Sequence, residues 1–148
     1  MIKICKERWA LKEKDLREKF SSMTAKEITD LEYSTLVAIT MDIVLNCDEL
    51  KLDIENIHEI DDGNYQGTLL YLIPFKTYQP LEDEYLMTNV SYGSCSGCDT
   101  LLGITGYCVK NVTEEMINQL VALCKDLIMC TINPYDDSGK FEVVKFDE

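Results

Sequence analysis

The 148-residue chain is 46 % hydrophobic, which suits one domain with its own core, and no apolar run nears the ~20 residues of a membrane span. Its net charge of −13 is uneven: residues 1–27 hold eight Lys/Arg against five Asp/Glu, a net of +3, and the remainder six against twenty-two, a net of −16. A body this acidic repels nucleic-acid phosphates and suits a partner with a basic surface instead.

The opening MIKICKERWALKEKD lacks the apolar core of a secretory signal, and the seven cysteines follow no disulfide-framework spacing. Both features predict a cytoplasmic protein with reduced thiols.

Trp9, Leu16 and Phe20 recur at helical spacing among charges, predicting a basic amphipathic helix over Lys6 to Lys19 within an N-terminal arm, residues 1–23. Its interspersed acids argue against a membrane surface, and its apolar stripe is expected to pack on the domain's own core. Thr24-Ala25-Lys26-Glu27 has the form of a capping box, in which Thr and Glu side chains satisfy each other's free backbone N–H groups. Ile28, Leu31, Thr35, Ile39 and Ile43 continue on one face, predicting a single long second helix that ends near Cys47.

Asp61-Asp62-Gly63-Asn64 is a turn signal between two apolar segments, Ile57 to Ile60 and Tyr65 to Phe75, so a β-hairpin is expected. Alternation of Leu86, Thr88, Val90 and Tyr92 predicts a third strand, and a short helical turn follows at Asp99 to Ile104. Thr113 reads as the N-cap of a last helix whose face is Ile117, Leu120, Val121, Cys124, Leu127, Ile128 and Thr131; Glu114 and Glu115 complement its dipole. Phe141 to Phe146 alternates as a final strand. The sum is a single α+β domain over residues 1–148, with a mainly antiparallel sheet of about four strands packed against two N-terminal helices and one C-terminal helix. Leu31, Ile39, Leu69, Tyr71, Leu120, Cys124 and Leu127 are the expected core.

Cys95-Ser96-Gly97-Cys98 could hold two thiolates on a zinc ion, but zinc needs further ligands. The single histidine, His58, and Cys5, Cys47 and Cys108 are the other available donors, at no recognised spacing. A thiol-redox enzyme would need Cys95 at a helix N-terminus in a different order of elements. The simplest expectation is a metal-free corner in which Gly93 and Gly97 take special backbone angles, with no cofactor needed for folding. His58, Glu59, Asp61 and Asp62 could line a cleft with Tyr65 and Gln66. Phosphate-binding, dinucleotide, nucleophile-elbow and zinc-protease motifs are all absent, which lowers the expectation of an enzyme.

His58-Glu59-Ile60-Asp61, Tyr65-Gln66-Gly67-Thr68-Leu69, Ile73-Pro74-Phe75 with Thr77-Tyr78-Gln79-Pro80, and YGSCSGCDTL at residues 92–101 together resemble small proteins encoded by phages and prophages of Gram-positive bacteria. Leu123 to Leu127 and Asn133-Pro134-Tyr135 extend the resemblance, which covers roughly residues 57–135. It implies a context, phage infection of a host cell, more than an activity. In that context a small acidic protein is expected to bind a host protein stoichiometrically, as an inhibitor of a CRISPR effector or another anti-phage defence component. The charge runs nominate Asp48, Glu49, Asp53, Glu55, Glu59, Asp61 and Asp62 on one segment and Glu82, Asp83 and Glu84 on another as the partner-binding residues. A metal-binding accessory protein or thiol-redox enzyme built on Cys95 and Cys98, with His58 as a further ligand, is the alternative. A homodimer, with the basic arm on a neighbour's acidic body, is compatible with the charge pattern.

Overall fold

Helix α1 (Ile2–Ser21) buries Cys5, Trp9, Leu16 and Phe20 on one side, so the basic N-terminal segment packs on the core and keeps its charges outward. The computed structural model describes residues 2–48, 50–63, 66–76, 85–94, 99–106, 108–133 and 142–143. Exposed pairs such as Lys12–Asp15 and Arg17–Glu13 run along the outer face of α1, where each adds a few tenths of a kcal/mol at most.

The capping box is present: the Thr24 backbone N–H donates to Glu27 Oε1 at 3.0 Å, and the Glu27 N–H donates to Thr24 Oγ1 at 3.2 Å. The expected long second helix is not. α2 (Ala25–Thr29) stops at Asp30, Glu32 is extended, and α3 (Tyr33–Thr40) begins anew. The break resets which side faces inward. Tyr33, Leu36, Val37 and Thr40 are buried, whereas Thr35 is exposed and Ile39, expected in the core, is only half-buried. Starting α3 afresh buries the Tyr33 ring and pairs its hydroxyl, gains that offset helical bonds lost at the break.

α3 runs into a π-helical turn, Met41–Leu45, closed by the Asn46 N–H on the Met41 carbonyl at 2.8 Å. Arg8 Nε of α1 donates to the Val44 carbonyl there at 2.8 Å. A 3-10 turn, Ile54–Asn56, leads to the sheet.

The hairpin forms as its turn signal requires. β1 (His58–Asp61) pairs antiparallel with β2 (Gly67–Pro74), with Glu59 opposite Tyr71 and Asp61 opposite Leu69. A side chain at Gly63 would collide with the Gln66 carbonyl, so only glycine lets the chain turn this tightly. β3 (Tyr85–Tyr92) continues the sheet; its Leu86 and Thr88 are buried and Val90 and Tyr92 half-buried, the face that alternation predicted. Two-residue strands β4 (Ile132–Asn133) and β5 (Glu142–Val143) complete the order β1-β2-β3-β4-β5. The α+β class and antiparallel sheet therefore stand, as three substantial strands with a short extension. The predicted final strand is seen only at Glu142–Val143; residues 141 and 144–146 lie outside the described residues.

α4 (Thr100–Thr105) is capped by Asp99 and ends at Gly106, whose φ of +58° is the left-handed angle glycine adopts without penalty. α5 (Glu114–Met129) starts at the Thr113 cap and buries its predicted face completely. It lies over β3, where Thr88 Oγ1 donates to the Leu127 carbonyl at 2.7 Å. The buried side chains of α1, α3, α5 and the sheet form one hydrophobic cluster.

Candidate functional site

Asp99 is 6 % exposed yet carries no cation beside it among the described residues. Its charge is met by donors instead. Asp99 Oδ1 accepts the Leu102 N–H at 3.1 Å, the ordinary N-cap bond, and the Tyr33 hydroxyl at 2.7 Å. Asp99 Oδ2 accepts the Gly93 N–H at 3.0 Å. The Tyr33 oxygen in turn accepts the Leu101 N–H at 3.1 Å. One carboxylate thus ties the start of α3, the end of β3 and the start of α4 together. Burial, and then the Asp99 carboxylate, pushes the Tyr33 hydroxyl pKa upward, although the Leu101 N–H opposes it.

The core side of the sheet repeats the tyrosine–carboxylate pairing twice. Tyr71 Oη donates to Glu59 Oε2 at 2.6 Å, directly across the β1–β2 ladder. Tyr92 Oη donates to Asp61 Oδ1 at 2.6 Å, from the far side of β2. Tyr92 pairs with Gly67 in the register, where an added Cβ would press on the Asp62 carboxylate and the Gly63 backbone. The Tyr92 hydroxyl and the Gly63 N–H, bonded at 3.0 Å, hold the Asp61 carboxyl below its usual range. Reciprocally, the Asp61 bond, and next burial, push Tyr92 up to about 12. Tyr71 is raised mainly by burial and then by Glu59.

Between these groups lies a cleft of about 420 Å³. One wall is the α2–α3 junction, with Leu31, Glu32, Tyr33 and Ser34; the second is the sheet, with Glu59, Asp61, Leu69 and Tyr92; the third is α4, with Asp99, Leu101, Leu102 and Thr105. Four carboxylates and four leucines line it, and among the described residues no lysine, arginine or histidine does. Such a cleft attracts cations and accepts hydrogen bonds, and its leucines suit the hydrocarbon stem of a long basic side chain. Among the described residues it has neither a histidine nor a cysteine to make an activated nucleophile.

The expectation of a cleft at residues 58–66 is therefore half met. Glu59 and Asp61 line it, but His58 and Gln66 do not, and Tyr65 lies outside the described residues. Asp62 instead closes the turn, its Oδ1 accepting the Thr68 N–H at 2.7 Å. His58 is exposed; it alternates with Glu59 and so faces the opposite side of the sheet. Asp48 and Glu55 are exposed, and Asp53 is half-buried, its Oδ2 accepting from Asn56 Nδ2 at 2.8 Å. Glu49, Glu82, Asp83, Glu84, Cys95 and Cys98 lie outside the described residues.

Among the described residues no three His, Cys, Asp or Glu side chains are grouped to hold a metal ion. Cys5 is fully buried in the core, where burial pushes its thiol up to about 12; Cys47 is half-buried and Cys108 exposed. Among the described glycines the left-handed angle falls on Gly106, while Gly93 serves as a donor to Asp99. Sequence reasoning missed Tyr33 and Tyr92 as cleft residues: Tyr33 falls off the stripe predicted for one long helix, and Tyr92 read only as part of a strand's alternation. Asp99 was within reach, since an aspartate just before a helical turn is an N-cap signal.

Compared with protein-family models, with curated proteins and with solved structures, the chain matches none.

Proposed function

We propose that the protein acts by stoichiometric binding: its acidic face captures a positively charged surface of another protein and blocks it. The observation that carries this reading is uncompensated charge. Among the described residues, the ion pairs lie between side chains of residues 3–30, whereas Asp48, Asp53, Glu55, Glu59, Asp61 and Asp62 make none. Four carboxylates also converge on one cleft, with no counter-cation among the described residues that line it. Unpaired charge of one sign raises the association rate with an opposite surface, and salt screens it over ~8 Å at physiological strength. The resemblance to phage and prophage proteins supplies the setting, a host defence component such as a CRISPR effector with a basic nucleic-acid channel.

Affinity capture from host lysate, followed by titration of the captured protein's activity, tests this. A sharp 1:1 endpoint that weakens with salt supports it. Inhibition at substoichiometric amounts, or turnover of a substrate, overturns it.

A further inference from the structure

β1 is an edge of the sheet: among the described residues nothing pairs with its far side, and all four of its side chains are exposed. The Asp62 N–H donates to the Thr68 carbonyl at 3.3 Å, one step beyond the last paired residues, Asp61 and Leu69. Antiparallel pairs alternate between bonded and non-bonded, so the backbones of Asp62, Ile60 and His58 turn toward β2. Those of Glu59 and Asp61 therefore turn away from it. These two residues present N–H and C=O groups to the open edge and carboxylates to the cleft. Ile60 between them is 49 % exposed and faces the other side.

We propose that this edge receives an extended, basic segment of the partner protein as an added strand, with its cationic side chains entering the cleft. The inference rests on the binding role proposed above and specifies its chemistry. A strand bonded to Glu59 and Asp61 places two of its residues directly opposite them, on the cleft side, about 5 Å away between Cβ atoms. Arginine or lysine at those two positions meets Glu59 and Asp61, and its stem lies along Leu69 and Leu31. The residue between lies beside Ile60 and is apolar. The segment is thus basic–apolar–basic. A second copy of β1 is disfavoured as occupant, because antiparallel self-pairing would set Glu59 opposite Asp61, like charge against like charge.

The test uses a fluorescent, end-blocked peptide of alternating arginine and valine and two derivatives of the same charge, one N-methylated at the arginines and one at the valines. In the proposed register the arginine amides face β1 and the valine amides face solvent. Methylation at arginine should weaken binding about tenfold or more, and methylation at valine should leave it intact. On the protein side, Glu59→Ala and Glu59→Pro remove the same charge, but only proline removes the outward N–H. Proline should bind the peptide more weakly than alanine at equal thermal stability. Equal binding of the two methylated peptides overturns strand addition, and so does failure of the unmodified peptide to bind. If the 1:1 capture of a host protein survives either result, only the strand-addition inference falls, and the binding role stands.

Discussion

Tyr33 and Asp99 lie 66 residues apart in the chain and meet at 2.7 Å, hydroxyl to carboxylate, in the buried floor of the cleft. This contact replaces the continuous second helix. It is available only because α3 starts afresh at Tyr33.

Tyr33→Phe should therefore destabilise the protein by about 1–3 kcal/mol, because a buried carboxylate loses one of its donors and the Leu101 N–H loses its acceptor. Denaturant unfolding checks this. A change below a few tenths of a kcal/mol would mean that the pair contributes nothing net.

Tyr33, Tyr71 and Tyr92 all titrate above the ordinary tyrosine range, with Tyr92 near 12. A tyrosine raised in the folded state stabilises it below the unfolded pKa of ~10 and loses that contribution as pH climbs through the folded value. Tyrosinate absorbance should show these three un-ionised at pH 10 in folded protein, and Tyr92→Phe should remove a step near 12.

Asp61 carries the opposite sign. Its lowered pKa adds stability above the unfolded value of ~3.9, lost as pH falls through the folded value. Tyr92→Phe should weaken this acid-side dependence, and the carboxyl chemical shift of Asp61 should then titrate closer to ~3.9. An unchanged midpoint would rule out the Tyr92 bond as its main cause.

Two glycines separate angle from space. At Gly106 an added Cβ meets nothing within 4 Å, so Gly106→Ala should cost only the left-handed penalty, about 1 kcal/mol. Gly63→Ala has a backbone carbonyl in its way and should cost more, with loss of hairpin amide protection. Thermal unfolding of both variants ranks them.

Alkylation at neutral pH should label the exposed Cys108 and Cys130 in folded protein and spare Cys5 and Cys124, which burial pushes up to about 12. Peptide mass mapping reads this directly. Rapid labelling of Cys124 would contradict its place on the buried face of α5.

Local chemistry in the sequence determined much of this fold. The Thr24–Glu27 box, the Thr113 cap, the Asp61-Asp62-Gly63 turn, the face of α5 and the alternation of β3 all rest on contacts within a few residues or on a regular period. A chain carries such information linearly. The break at Asp30 to Glu32 was illegible, because Ile28, Leu31 and Ile39 do continue a helical stripe. Only the tertiary packing brings Asp99 to Tyr33, 66 residues away, and so sets where α3 begins. The cleft was legible in part: Glu59 and Asp61 stood out as acids beside a turn, but their tyrosine partners come from β2 and β3 and from no nearby position. Which backbone groups of β1 face outward is likewise a matter of register. Register is set by which neighbour a strand acquires, and that is decided by the tertiary fold.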